Sequence, residues 1–328
     1  MLCMILVSCT GQKTGKENDN NDKIAIEVGE IKFPPQDVLQ LKSYYLSSSV
    51  HVDSIDYLIG YNYRLHSLDC MNLKSKSVTQ IVLPGDGPDA IVRLSGIYAQ
   101  SLDSVWISDE SERAFLIDSV GTIKRMIDLK KYLEDQEQLL INTNYAMFTS
   151  HLFYNASRHS LMFLVKHTPS NTFIVKEAFI DEVGKMATYQ LSSSKVVPDM
   201  SKGYAYINFP NVNFVGENIV YNYPVESSIY MLDIRTNERK YILADSHYTS
   251  NIIEKCTTSG DYATLEKHWL ENSHFYDIMY LPKYKIYARL HADKVDFDEK
   301  KGMEKLINER DLYLMLFDEN MEKIGETK

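Results

Sequence analysis

A chain of 328 residues with a formal net charge of −10 and no long run of Lys or Arg is a poor match for a phosphate backbone, which argues against nucleic acid as a partner. At 44% hydrophobic residues it is long enough for one large repeat domain or two ordinary ones. Tyrosine is unusually frequent, 23 residues against two Trp, and Tyr favours half-buried pleated surfaces, which points to an all-β chain.

The first nine residues, Met1 to Cys9, form an apolar run too short to span a bilayer. Leu6-Val7-Ser8-Cys9 fits the lipobox of a bacterial lipoprotein, with cleavage before Cys9 and lipidation of its thiol. Several acyl chains on one Cys anchor a protein stably to a membrane. The positive segment that normally opens a signal is missing. Residues 10–23 (TGQKTGKENDNNDK) are polar and aperiodic, as a disordered tether is. Thr10 is not Asp, so the inner-membrane retention signal of enterobacterial lipoproteins is absent. The expected address is the outer membrane, facing either side.

Residues 24–328 read as one β-propeller domain. The clearest unit runs from Ile81 to Leu129. Pro84-Gly85-Asp86-Gly87-Pro88 is a turn, and short strands follow near Ile91–Tyr98, Ser104–Ser108, Ala114–Ile117 and Ile123–Leu129. Four short strands with tight turns over about 45 residues make one antiparallel blade. An apolar run ending in Asp recurs at Asp69, Asp118, Asp181, Asp233 and Asp318, which suits a repeat architecture. A first blade is drawn from Ile55–Tyr61, Arg64–Asp69 and Val78–Leu83. Lys130 to Leu140 is expected to form a short helix in a loop. A third blade uses His151–Tyr154, Ser160–Lys166, Thr172–Ile180 and Met186–Leu191. A fourth uses Tyr204–Phe209, Asn218–Tyr223, Ser228–Leu232 and Glu238–Leu243. Tyr262 to Glu271 is the best helix, with Leu265 and Trp269 on one side. A fifth blade has His274–Tyr280, Lys285–Leu290, Asp311–Phe317 and Lys323 onward, interrupted by a charged insertion from Asp293 to Glu309. The expectation is therefore a six-bladed ring of four-stranded antiparallel blades. Five are visible, an N-terminal strand lies over Ile24–Phe33, and the C-terminal partner for ring closure is missing.

The lipobox at Cys9, Gly85-Asp86-Gly87-Pro88, Asp103-Ser104-Val105-Trp106, Asn218-Ile219-Val220-Tyr221, Ile229-Tyr230-Met231-Leu232-Asp233 and His274-Phe275-Tyr276-Asp277 leading to Ile286-Tyr287-Ala288-Arg289 carry a resemblance. In that order they resemble the lipoproteins of gut bacteroidetes with six-bladed, NHL/TolB-like propeller domains of unknown function. The resemblance implies a fold and an address, and no chemistry.

Local catalytic motifs are lacking: there is no G-x-S-x-G elbow and no H-E-x-x-H. Gly85-x-Gly87 precedes a strand, not a helix N-terminus. The nine His are scattered without metal-ligand spacing, so neither metal nor cofactor is expected. Cys70 and Cys256 are expected to be buried thiols. Two functions stay open. One is a non-catalytic, membrane-tethered propeller binding an envelope glycan, peptide or protein. The other is a polysaccharide hydrolase or lyase whose carboxylates come from distant blades. Candidate ligand-binding residues are His274 and Tyr276, which share a strand face by period-2 alternation, and Arg289, whose planar cation suits a carboxylate or acidic sugar. The competing expectation is that Arg289 pairs with a neighbouring blade and Tyr276 lies in the core.

Overall fold

The computed structural model describes residues 3–5, 27–34, 44, 46–140, 152–197, 209–256 and 262–328. The fold is an all-β propeller, with five four-stranded antiparallel blades among the described residues. Cys9 and the tether at residues 10–23 lie outside those residues, as do residues 204–208 of the strand expected at Tyr204–Phe209.

Two short strands precede the blades, β1 (Cys3–Ile5) and β2 (Glu27–Gly29), paired antiparallel. Blade 1 comprises β3 (Ser47–Val52), β4 (Ile55–Asn62), β5 (Ser67–Asn72) and β6 (Val78–Val82). Blade 2 comprises β7 (Leu94–Ser101), β8 (Ser104–Asp109), β9 (Arg113–Ile117) and β10 (Ile123–Asp128). In blade 3 the first strand is split into β11 (Glu137–Leu139) and β12 (Phe153–Asn155). These pair with opposite ends of β13 (Ser160–His167), and β14 (Thr172–Phe179) and β15 (Met186–Gln190) follow. Blade 4 comprises β16 (Asn211–Val215), β17 (Asn218–Asn222), β18 (Ile229–Asp233) and β19 (Arg239–Ile242). Helix α1 (Tyr262–Leu270) leads to blade 5, made of β20 (His274–Leu281), β21 (Ile286–Ala292), β22 (Leu312–Phe317) and β23 (Lys323–Thr327). Helix α2 (Met303–Asn308) lies in the charged insertion between β21 and β22.

Blades 1 to 3 fall in one compact unit, and blades 4 and 5 in a second. In the first unit, Ile59, Leu68, Ile97, Val105, Ile107 and Phe115 pack between the first two blades. Blade 3 buries charge as matched sets. Lys176 meets Glu134 and Glu137 at 2.9 and 3.0 Å, and Glu177 takes a two-pronged bond from Arg158. A charge without water must be paired in this way. In the second unit Val220, Ile229, Ile278, Met315 and Phe317 form the core. Asn211 and Asn213 of β16 extend their side-chain amides to the carbonyls of Phe275 and Ile278 at 3.1 Å each, tying blade 4 to blade 5.

Three local expectations are corrected. Asp69 lies inside β5 and is buried among Tyr44, Asn62 and Gln80. The turn is made by Asn72, whose Oδ1 accepts from the Lys74 and Ser75 amides. Asp118, Asp233 and Asp318 do hold their turns through backbone N–H groups. Residues 129–140 make one 3₁₀ turn (Leu129–Tyr132), opened by Asp128 and ended where Leu133 turns extended and its N–H closes on the Lys130 carbonyl, and then β11. The first strand of blade 4 is Asn211–Val215, where Val212 and Phe214 are the buried alternation and the asparagines satisfy carbonyls of the next blade.

Candidate functional site

Cross-strand register brings several chemistry-bearing residues to one end of blade 5. His274 pairs with Ala292, Ala292 with Leu312, and Leu314 with Thr327. That end therefore gathers the start of β20, the end of β21, the start of β22 and the end of β23.

His274 is 2% exposed, and its ring meets that of Tyr276 edge-on at 4.6 Å between centroids. The ladder shifts register just beyond Phe275, and Tyr276 stays half-buried while Phe275 enters the core. Trp269, from the last turn of α1, donates its indole N–H to His274 Nδ1 at 3.1 Å. Burial, and then the nearby Arg310 cation, push the His274 imidazole down to about 3. The ring is therefore neutral at physiological pH, with its proton on Nε2. Arg310 stands just ahead of β22 with its guanidinium carbon 5.1 Å from the Trp269 ring. It donates to the carbonyls of Asp293 at 2.7 Å and Asn272 at 2.6 Å. Burial raises the Tyr276 hydroxyl and Arg310 partly offsets this, so the phenol keeps its proton.

Arg289 is elsewhere in the same blade. It is fully buried, donating to the carbonyls of Ser227 and, at 3.0 Å, Ala244, with its guanidinium over the Phe275 ring at 4.8 Å. Burial pushes it down to about 9, although Glu326, Asp245 and Glu226 pull the other way. In this position it clamps blade 4 to blade 5 through backbone carbonyls, not through an Asp, and its fork does not face solvent.

A Ser–His–Glu grouping occupies the same end of the blade. Ser246 Oγ donates to Glu326 Oε1 at 2.5 Å, and His291 Nε2 lies 3.1 Å from both. Acyl-transfer chemistry needs the serine on one ring nitrogen and the acid on the other. Here both share Nε2, and Nδ1 is buried without a hydrogen-bond partner. The Ser246 hydroxyl also accepts the Tyr248 and Thr249 amides at 2.9 and 3.0 Å. Its proton is thus committed to Glu326 and its lone pairs to the turn, and the grouping is a structural latch. Burial alone would raise the Glu326 carboxyl, but donation from His291, Lys323, Ser246 and the His247 amide holds it down to about 2.

The latch positions a run of near-parallel rings. Tyr248 stacks on Tyr313 at 4.9 Å and 13°, Tyr313 on His291 at 5.3 Å, and His291 on Phe275 at 5.5 Å. The inner three rings are buried, while Tyr248 is 52% exposed. Beside this run Lys328 bridges Asp311 at 2.7 Å.

Among the described residues no group of three or more His, Cys, Asp or Glu is arranged to hold a metal ion. Cys70 is a buried free thiol, pushed up to about 12 by burial, and Cys256 is half-buried. No described helix is long and apolar enough to cross a membrane. The structure thus joins His274 and Tyr276, separates Arg289 from them, and adds Trp269, Arg310, Tyr313 and Tyr248. The one sequence signal for these was Trp269, a rare residue on the apolar side of the predicted helix.

A family profile described as domain of unknown function (DUF4221) matches residues 17–328. The chain is similar to the crystal structure of a DUF4221-family member from Bacteroides vulgatus ATCC 8482. The TM-score is 0.69 at 14% identity, covering 90% of this chain and 83% of that one. Weaker likenesses include a nidogen/laminin complex (TM-score 0.44, 9% identity, 86% of this chain and 78% of that one). BamB from Moraxella catarrhalis is similar at TM-score 0.36 (9% identity, 86% of this chain and 63% of that one). The Bacteroides likeness bears on fold alone, and the other two carry no argument. No curated protein matches the chain.

Proposed function

This chain belongs to the DUF4221 family, and on that premise we propose that it is a membrane-tethered, non-catalytic propeller. It binds a glycan, peptide or protein partner of the cell envelope at the end of blade 5 where β20 begins. The observation that carries the reading is the state of His274, which is neutral and held at Nδ1 by the Trp269 indole beneath the half-buried Tyr276. A ring poised this far from physiological pH is unsuited to proton transfer. A rigid group of rings with fixed donors is suited to recognition, because little conformational freedom is lost on binding. The shared-nitrogen geometry of Ser246, His291 and Glu326 likewise gives no support to a hydrolase.

The anchor in this reading is Cys9, supported by the lipobox and the polar tether, and the address is the outer membrane, supported by Thr10. Cleavage before Cys9 removes β1, so the β1–β2 pair belongs to the unprocessed chain. A six-bladed, NHL/TolB-like ring stays part of the proposal. Its support is the strand β2, which lies outside the five blades.

The test is affinity capture from detergent-solubilised envelope, followed by calorimetry of the purified component against wild type and Tyr276→Ala. Binding weakened at least roughly tenfold with an unchanged melting temperature supports the reading. Equal affinity for the two proteins removes it.

A further inference from the structure

We propose that the end of blade 5 binds a glycan, with a pyranose ring stacked on the open face of Tyr248. This rests on the binding reading above and narrows its ligand.

The first ground is that Tyr248 is exposed yet fixed. One face packs on Tyr313 at 4.9 Å and 13°, and Tyr313 is backed by His291 and Phe275. Its backbone is held as firmly, since the Tyr248 amide donates to Ser246 Oγ and Ser246 is bound to Glu326. Asn251 closes the loop by accepting the Ser246 amide at 2.6 Å and returning a bond to the Ser246 carbonyl at 3.2 Å. A large ring that pays so little entropy to be ordered is a preformed platform.

The second ground is the chemistry of that face and its rim. The face of an aromatic ring carries partial negative charge. The axial C–H groups of a pyranose carry partial positive charge and present a flat patch of matching size. Sugar hydroxyls around that patch need both acceptors and donors. Asp311 and Lys328, exposed and paired at 2.7 Å, offer an acceptor and a donor near Tyr313, the ring on which Tyr248 stacks. A sugar can use both features, the ring face through its C–H groups and the ion pair through its hydroxyls, which is the ground for proposing a glycan.

The experiment probes an array of defined neutral and acidic oligosaccharides with the soluble chain, then titrates the strongest probe by calorimetry. Tyr248→Ala is expected to weaken binding at least roughly tenfold, while Tyr248→Phe, which keeps the ring, stays within about threefold. Tyr248→Phe should leave the melting temperature unchanged, and Tyr248→Ala should lower it by no more than about 2 °C, the worth of one half-exposed ring pair on Tyr313. Equal affinity for wild type and Tyr248→Ala overturns the proposal, and so does a silent array. The two ideas fail separately. A silent array beside a captured partner that depends on Tyr276 removes the sugar and leaves the binding reading, whereas absence of any such partner removes both.

Discussion

Glu326→Gln isolates the latch that fixes the end of blade 5. The wild-type carboxylate is 2% exposed and receives Ser246, His247, His291 and Lys323. Its ordinary value of 4.5 falls to about 2 in the folded chain. A depressed carboxylate contributes stability that is fully present above 4.5 and is lost as pH falls toward 2. The difference is worth about 3 kcal/mol at neutral pH. Glutamine keeps the shape but loses the charge, and turns one oxygen into a donor facing other donors. The expected cost at pH 7 is about 3 kcal/mol, or roughly 4 °C in melting temperature for a chain of this size. Calorimetric melts of both proteins from pH 7 to pH 3 should show the gap shrinking by about half at the acid end. A gap that is constant across that range would refute the reasoning, because the loss would then be one of shape and not of charge.

Other expectations follow from single contacts. Arg289→Met should cost about 3–5 kcal/mol in chemical denaturation, since the carbonyls of Ser227 and Ala244 lose their donor in a buried site. Gly121 has φ +84°, and a Cβ there would stand 2.2 Å from the Val82 carbonyl oxygen, so Gly121→Ala should destabilise by at least about 1 kcal/mol. His274, held at about 3, should show no ring titration by NMR between pH 8 and pH 4. Because the unfolded ring takes a proton near 6.5 and the folded one does not, this residue makes the fold less stable as pH drops below 6.5, and His274→Phe should flatten that slope. Cys9→Ala should abolish palmitate labelling of the chain expressed with a full signal peptide; equal labelling would remove the anchor.

The blades were legible because their signal is local. The apolar run Val105-Trp106-Ile107 between serines and the turn chemistry of Asp118, Asp233 and Asp318 each mark a strand or hairpin within a few residues. The helix at Tyr262–Leu270 was visible for the same reason. What stayed hidden depends on contacts across blades. Asn211 and Asn213 look like loop residues until the carbonyls of Phe275 and Ile278 are placed beside them. Arg289 has the composition of a ligand-binding cation, and only the Ser227 and Ala244 carbonyls show it as a clamp. Tyr248 is far from Tyr313 and Glu326 in sequence, and those two come to one end of the blade because β22 begins where β23 ends. His274 and Tyr276 were paired by period-2 reasoning; their rings do meet, although the register shift between Phe275 and Ile278 interrupts that alternation.

The most direct test of partner recognition at blade 5 is amide hydrogen exchange of the lipidated chain with and without solubilised envelope extract. Slowed exchange confined to peptides covering residues 247–249, 274–276 and 311–313, and absent in Tyr276→Ala, is the predicted result. Protection elsewhere in the chain, or none at any extract concentration, would contradict it.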